Sequence, residues 1–414
     1  MSAIGGASVN FAMLITARAC QGAFAALLVP SALSILTTTF TEPKDRSRAF
    51  AVYGAIAGAG GAVGLLVGGA LTEYLSWRWT LYVNLLFAGV AFAGGALLTR
   101  QPSRARPRLD IPGALLASGG MFCLVYGFSN AASHTWATPS TYGFLAAGVA
   151  LLAAFAAWQR RAAHPLLPPR VVLDRNRGGA YLSMFIASVG LFGIFLYLTY
   201  YLQQTLGYSP LVTGVAFLPL SGGLIVASNL STIVLMPRFG PKPLVVLGML
   251  AASGGAAWLA QLGPHTVYAT GVLGPLILAG IGMGMVIAPM INTGTFGVAP
   301  QDAGEASATV TVGQMLGGSV GTALLNTIFT AAVTSYLTTH FTAAGIIGRQ
   351  ALAGLALAHG YDTAFWSIAG IFAGGAVVGG VLLRRGPLGQ KRTPSPASGA
   401  VPMTQAGVSP GRVR

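Results

Sequence analysis

The sequence has few acidic residues, little charge of any kind and almost no cysteine. Only 8 of its 414 residues are Asp or Glu, against 23 Lys or Arg, and charged residues make up 7% of the chain. Soluble domains are about 25% charged, so a chain with so little charge cannot cover a water-facing surface of this size. The apolar content of 54% also excludes disorder. The remaining class is a membrane protein.

The two cysteines, Cys20 and Cys123, lie inside apolar stretches. Two isolated cysteines provide neither a disulfide framework nor the spacing of a zinc site. The sequence also shows no paired carboxylates, no Ser/His pair and no metal-ligand cluster at membrane depth. We therefore expect no catalytic residues, no metal and no enzyme activity.

Apolar stretches long enough to cross a bilayer recur along the whole chain. A spanning helix needs about 20 mostly apolar residues. Eleven stretches meet this need, at residues 12–38, 50–72, 79–98, 111–130, 141–158, 179–203, 211–236, 243–262, 267–290, 306–336 and 362–383. The sequence therefore predicts an all-α, polytopic membrane protein with about eleven transmembrane helices.

Basic residues concentrate in alternate loops, around residues 44–48, 100–108, 160–177 and 238–242, and again in the tail from residue 384. The intervening loops hold only Arg78 and Arg349, and we call their side of the membrane the arginine-poor side. The positive-inside rule then predicts a cytoplasmic C-terminus. The net charge of +15 reflects this topology and contact with anionic lipid, and not nucleic-acid binding. The predicted location is a bacterial plasma membrane.

An internal repeat links residues 43–64 with residues 300–321, where eight of 22 positions are identical at an offset of 257. The two copies have the same orientation, as in transporters built from parallel repeats. From this offset we expect the front copy to lack a counterpart of residues 177–257, which contain three helices. The predicted organisation is a partial N-terminal bundle (1–100), a basic linker with two extra helices (101–170), a six-helix C-terminal bundle (171–385) and a disordered cytoplasmic tail (386–414).

Two spans carry unusual residues. The first contains Arg18, Gln21 and Gly22, and an arginine at membrane depth either faces a polar partner or extends to the interface. The second carries glycines at helical spacing, which permit close contact with another helix. They are Gly54, Gly58, Gly60, Gly61, Gly64, Gly68 and Gly69.

These two stretches resemble motifs of drug:proton antiporters of the major facilitator superfamily. The Arg18–Gly22 stretch followed by Pro30 resembles the motif of their fourth helix. The glycine-rich span running to Trp77–Trp79 resembles their antiporter motif, although Leu65 replaces the usual proline. Residues 207–220 and 304–326 extend the likeness, which fits the fourteen-helix branch of the family without its first three helices.

The resemblance implies a two-bundle architecture and proton-coupled efflux of drug-like or antibiotic molecules by alternating access, with the proton gradient as energy source and no cofactor. It assigns proton coupling or conformational change to Arg18, Gln21 and Gly22. The segment from Arg238 through Gly240 to Lys242 resembles a degenerate copy of a loop-gating motif that lacks its acidic residue. Such a transporter has a small-molecule substrate and the lipid bilayer as partners. The alternative is a transport-inactive remnant or a partner subunit.

Several aromatic and uncharged polar residues at membrane depth are candidates for a substrate cavity. Lipid contact, an interfacial aromatic belt or helix–helix hydrogen bonds explain the same residues. They are Phe192, Phe195, Tyr197, Asn229, Asn292, Gln314 and Asn326. No acidic residue lies clearly at mid-membrane, and Glu73 and Asp362 are expected at helix ends on the arginine-poor side.

Overall fold

The computed structural model describes residues 1–39, 45, 60–61, 63–97, 110–133, 138–162, 165–166, 172–263, 266–298, 303–340 and 348–386. These residues form helices and short connections, with no strand among them. The helices are α1 (Ser2–Gly6), α2 (Phe11–Thr39), α3 (Val63–Tyr74), α4 (Trp79–Leu97), α5 (Ile111–Ser133), α6 (Pro139–Gln159), α7 (Arg175–Thr205), α8 (Pro210–Phe239), α9 (Pro241–Leu259), α10 (Tyr268–Thr295), α11 (Ala303–His340) and α12 (Gly348–Leu382).

Nine of the helices in the described ranges are long and apolar enough to cross a membrane, and α3 and α4 are shorter apolar helices. Each of the eleven stretches predicted to span the membrane overlaps one of these helices. Backbone groups have no water partner in a bilayer, so a spanning segment must satisfy its hydrogen bonds internally, and a helix does so. The predicted all-α, polytopic fold is confirmed.

The structure differs from the predicted spans at two places. The helix α12 begins at Gly348, whereas the hydropathy of the sequence places its start at residue 362. Polar residues such as His359 and Asp362 interrupt the apolar stretch without interrupting the helix, because helical hydrogen bonds do not depend on side-chain polarity. The short helix α1 was not predicted, since five residues carry too little periodicity to show it.

Helices α7–α12, which we call the C-terminal group, pack around a common core. In this group α10 packs on both α8 and α9, and α7 packs on α11 and α12. Large side chains such as Tyr197, Phe365 and Phe372 are fully buried there. The contact of α9 with α10 is close enough that a Cβ atom on Gly248 would lie 2.6 Å from the carbonyl oxygen of Gly282. Small residues allow such backbone approach, which favours helix association in a membrane.

Helices α1–α4, which we call the N-terminal group, bury far fewer side chains. Phe92 of α4, for example, is 83% exposed. The helix α1 packs against α2 and α4. Arg78, in the turn between α3 and α4, donates a hydrogen bond of 2.9 Å from Nη1 to the carbonyl oxygen of Gly6. Among its described residues, the group is therefore held by local contacts and not by a shared core.

Helices α5 and α6 form a hairpin, which is closed at one end by Asp110. Its carboxylate accepts hydrogen bonds from the backbone N–H of Gly113 at 2.9 Å, Trp158 Nε1 at 2.8 Å and Gln159 Nε2 at 2.8 Å. Partial desolvation raises the pKa of Asp110, but these bonds outweigh it, and the pKa lies below its ordinary value. The hairpin packs on the C-terminal group through α11, where Thr327 Oγ1 donates to the carbonyl oxygen of Phe128 at 3.0 Å.

The domain limits predicted from the sequence stay a prediction. Much of the predicted linker, and the predicted tail beyond residue 386, lie outside the described residues.

Candidate functional site

The structure places Arg18 on α2, exposed, with Gln21 one turn away. Arg18 Nη1 donates to Gln21 Oε1 at 3.0 Å, and Gln21 Nε2 donates to Ser2 Oγ of α1 at 2.8 Å. The predicted pair is therefore brought together and extended to a third polar residue. No ion pair joins Arg18 to a carboxylate in the ranges that the structure describes. An open surface depression of about 480 Å³ lies between α1 and the first turns of α2, and its lining includes Ala17 and Cys20, one residue before and two residues after Arg18.

Gly22, the third member of the motif, is exposed, and a Cβ atom added to it would meet no other atom within 4 Å. A small residue is therefore not required there by any neighbour in the described structure. Its role in proton coupling or conformational change stays a prediction.

The glycine-rich span is open along most of its described length. Gly54 and Gly58 lie outside the described residues. A Cβ atom would find no neighbour within 4 Å at the next four glycines of the motif, which are Gly60, Gly61, Gly64 and Gly68. At Gly69 the situation changes, because a Cβ atom there would lie 2.7 Å from the carbonyl oxygen of Pro210 in α8.

The helices α3 and α8 therefore cross at Gly69, and α8 supplies a glycine of its own. A Cβ atom on Gly214 would lie 2.7 Å from the carbonyl oxygen of Leu65. One turn beyond Gly69, Glu73 Oε2 accepts a hydrogen bond of 2.9 Å from the backbone N–H of Leu211. This crossing joins the N-terminal group to the C-terminal group through two close backbone approaches and one hydrogen bond that a carboxylate accepts.

The predicted cavity residues do not form a single cluster. On α7, Phe192 is partly exposed, Phe195 lies 5.0 Å from the ring of Phe217 between centroids, and Tyr197 is fully buried. The ring of Tyr197 lies 5.2 Å from that of Phe329 in α11. Tyr197 thus points into the C-terminal group. Whether these side chains contact a substrate stays a prediction.

The predicted amides lie on three different helices. Asn229 is exposed on α8, and its Nδ2 donates to the carbonyl oxygen of Ile225 at 2.8 Å. Asn292 is exposed near the end of α10, while Gln314 and Asn326 are partly buried on α11. The bond at Asn229 stays within its own helix, so it does not join helices as the alternative interpretation of the sequence required.

The predicted gating segment forms the tight turn between α8 and α9. Gly240 has a φ of 74°, a conformation that favours glycine, and Pro241 begins α9, as its fixed φ allows. Arg238 is exposed, and Lys242 is partly buried. The local sequence thus explains the turn, whereas its part in gating stays a prediction.

Among the residues that the structure describes, no group of three or more His, Cys, Asp and Glu side chains could hold a metal ion. The expectation that the chain uses no metal stays a prediction.

The model of the Major Facilitator Superfamily matches residues 1–322, which include α2, both motifs and the α3–α8 crossing. The chain belongs to this superfamily. It is therefore a multi-pass membrane transporter and not an enzyme.

Curated relatives include exporters of antibiotics. The chain is 48% identical over 387 residues to the puromycin resistance protein pur8 of Streptomyces alboniger, an alignment that covers 92% of the chain and 75% of the relative. It is 38% identical over 331 residues to a cephamycin export protein of Amycolatopsis lactamdurans, covering 79% and 68%. It is 33% identical over 339 residues to the tetracenomycin C resistance and export protein of Streptomyces glaucescens, covering 80% and 62%.

Two residues of this site were not assigned a role from the sequence. Ser2 lies in a helix too short to predict, and its contact with Gln21 spans 19 residues. Glu73 was expected only at a helix end, and its partner Leu211 lies 138 residues away. Gly69 and Glu73 are four residues apart and lie on one face of α3. This spacing was the sequence signal that could have placed Glu73 at the same helix contact as Gly69.

Proposed function

We propose that the chain exports antibiotic-like small molecules by alternating access, driven by the proton gradient. The identity of 48% over 92% of the chain to a puromycin resistance protein carries this proposal. Relatives named for cephamycin and tetracenomycin C export support antibiotics as the substrate class. The direction is outward, with the basic loops and the C-terminus in the cytoplasm of a bacterium.

The proposed proton-coupling element is the polar chain of Arg18, Gln21 and Ser2. Their bonds of 3.0 and 2.8 Å link α2 to α1, so a change in the charge near Arg18 acts on both helices. The hydrogen bond that Arg18 donates goes to a neutral amide, that of Gln21. A guanidinium with a weak partner can exchange it for an ionised carboxylate, which is the stronger pairing.

Substrate recognition is proposed to use the partly exposed aromatic rings of α7. Phe192 and Phe195 offer apolar faces, and aromatic faces attract organic cations. Puromycin carries an amine and aromatic rings, which such a surface recognises.

Growth of a puromycin-sensitive bacterium that expresses the chain tests the proposal. We expect the inhibitory concentration of puromycin to rise at least fourfold over the empty vector. The inhibitory concentration of a strongly hydrophilic aminoglycoside should not change. Membrane insertion of the chain without any rise for puromycin, cephamycin or tetracenomycin C would reject antibiotic export and favour the transport-inactive alternative.

A further inference from the structure

The crossing of α3 and α8 contains a charged group with a defined structural partner. We propose that Glu73 is a positioning residue of transport, which caps the first turn of α8 across the two groups and holds them together on the arginine-poor side. Its part in transport rests on the proposed export function. The contact itself does not.

The first turn of α8 needs a partner for one N–H group. Pro210 has no N–H to donate, and the N–H of Thr213 bonds the carbonyl oxygen of Ser209 at 2.9 Å. The N–H of Val212 reaches Ser209 Oγ at 3.4 Å. The N–H of Leu211 goes to Glu73 Oε2 at 2.9 Å. The cap of α8 is therefore shared between its own Ser209 and a carboxylate from the N-terminal group.

A carboxylate suits this position for two reasons. A hydrogen bond to an ionised acceptor is roughly twice as strong as one between neutral groups. The N-terminus of a helix also carries partial positive charge, which attracts an anion. The same bond therefore joins two helices and satisfies a helix end.

The glycines of the crossing make the cap possible. Because Gly69 and Gly214 let the backbones approach, the carboxylate of Glu73 reaches α8 from one turn away. The two helices cannot separate at this end without breaking the bond to Leu211. Since Glu73 is exposed, water can replace Leu211 as its partner, and the contact is reversible as an alternating transporter requires.

The nearest basic residue in sequence, Arg78, has other partners. Its Nη1 bonds the carbonyl oxygen of Gly6 at 2.9 Å, and its guanidinium carbon lies 5.2 Å from the ring centroid of Trp77. No ion pair between Glu73 and Arg78 occurs among the described residues. Glu73 is thus directed to α8.

Side-selective thiol labelling tests this inference. The two native cysteines are replaced by serine in the full-length chain, and Ser221→Cys becomes the reporter. Ser221 follows Gly214 by seven residues on α8, about two turns and about 10 Å deeper on the same face. The rate of reaction with a membrane-impermeant maleimide, applied from the arginine-poor side, is measured for Glu73→Ala, Glu73→Gln and the unchanged residue. Asp362→Asn, a carboxylate expected near the same membrane surface on α12, is the matched control.

We expect Glu73→Ala to label about tenfold faster than the parent, which corresponds to about 1.4 kcal/mol and lies within the range for lost helix caps. Glu73→Gln keeps an acceptor without charge and should label about threefold faster. Asp362→Asn should stay within twofold of the parent. Glu73→Gln preserves the size of the side chain, so it decides the question if Glu73→Ala does not reach the membrane.

Equal labelling of the parent and both Glu73 variants would overturn the inference. So would equal acceleration by Asp362→Asn, since that would indicate general loosening. Puromycin export by the unmodified chain is measured in parallel. If export is absent while the Glu73 variants still label faster, the proposed function is wrong and the cap stands. If export is present and labelling is unchanged, the cap is wrong and the function stands.

Discussion

The two copies of the internal repeat place matched glycines in different surroundings. In α11, a Cβ atom on Gly317 would collide with the carbonyl oxygen of Phe185, and one on Gly321 would lie 2.7 Å from the Cα of Val189, both in α7. Their counterparts at the offset of 257, Gly60 and Gly64, meet nothing within 4 Å in the described structure. The same motif is thus a close helix contact in the C-terminal group and an uncovered face in the N-terminal group.

This difference separates two uses of one pattern. Where a neighbouring helix is present, the small residues set the distance between helix axes and bury backbone against backbone. Where the described structure shows none, they only mark a face that is able to make such a contact. The C-terminal group therefore carries the packing energy of the fold, while the N-terminal group carries the exposed arginine and the glutamate of the proposed mechanism.

Arg18→Ala should give the largest effect, and on transport rather than on folding. Arg18 is exposed and bonds one side chain, so its removal leaves packing almost unchanged. We expect puromycin export to fall more than tenfold while the melting temperature moves by no more than a few degrees. Arg18→Lys keeps the charge without the planar guanidinium. Its puromycin export should lie between that of the parent and that of Arg18→Ala. Full export by Arg18→Ala would remove the N-terminal group from the mechanism.

Gly321→Ala should give the largest effect on stability. The added methyl group meets backbone atoms of α7, which cannot move as a flexible side chain can. Overpacking of this kind costs about 1–3 kcal/mol, and we expect the upper half of this range. Unfolding of the purified protein in detergent measures the loss. A substitution without cost would show that α7 and α11 are less closely packed than described.

The α5–α6 hairpin allows a pH-dependent test with a smaller expected effect. The pKa of Asp110 is lowered in the folded protein, so its ionised form stabilises the hairpin at neutral pH. This stabilisation is present above the ordinary Asp pKa of about 3.9 and is lost as the pH falls through the folded-state value. Hydrogen exchange of the backbone N–H groups near Gly113 in α5 and Gln159 in α6 should therefore become faster only below about pH 4. In Asp110→Asn this exchange should be insensitive to pH after correction for the intrinsic rate. An increase beginning near pH 6 would contradict the assignment.

Gly64→Ala should have the smallest effect and completes the comparison. A methyl group at Gly64 meets open space, and alanine favours a helix over glycine by up to about 1 kcal/mol. We expect unchanged or slightly higher stability in the same unfolding experiment as Gly321→Ala. A loss equal to that of Gly321→Ala would mean that the glycine face of α3 is covered by a helix in the membrane.

The sequence predicted the parts of the fold that depend on local composition. Hydropathy located each of the nine long apolar helices in the described ranges, because the cost of burying backbone and charge in lipid acts on each segment separately. The predicted spans 211–236 and 243–262 also leave a short loop between them, and the turn at Gly240 lies in it. The start of α12 was misplaced for the same reason, because hydropathy reports lipid contact and not where a helix begins.

Contacts between distant segments could not be predicted. The bond from Glu73 to Leu211 depends on the angle at which α3 crosses α8, which no local pattern encodes. The glycine face of α3 predicted close contact along its length, yet among the described glycines of that motif only Gly69 has a neighbour. Its partner Gly214 lay in a segment noted for family resemblance alone. The transport function was predicted from the two motifs near Arg18 and Gly64. These motifs indicate transport because they resemble those of a known family, and not because of their geometry.

Transport in everted membrane vesicles tests the central claim most directly. The vesicles carry the chain in their membrane, and a pH gradient is imposed that is acidic inside. Radiolabelled puromycin is added outside. An outward, proton-driven exporter accumulates puromycin inside these vesicles, and an ionophore that collapses the gradient abolishes the accumulation. No accumulation above vesicles without the chain, or accumulation that the ionophore leaves unchanged, would contradict the account.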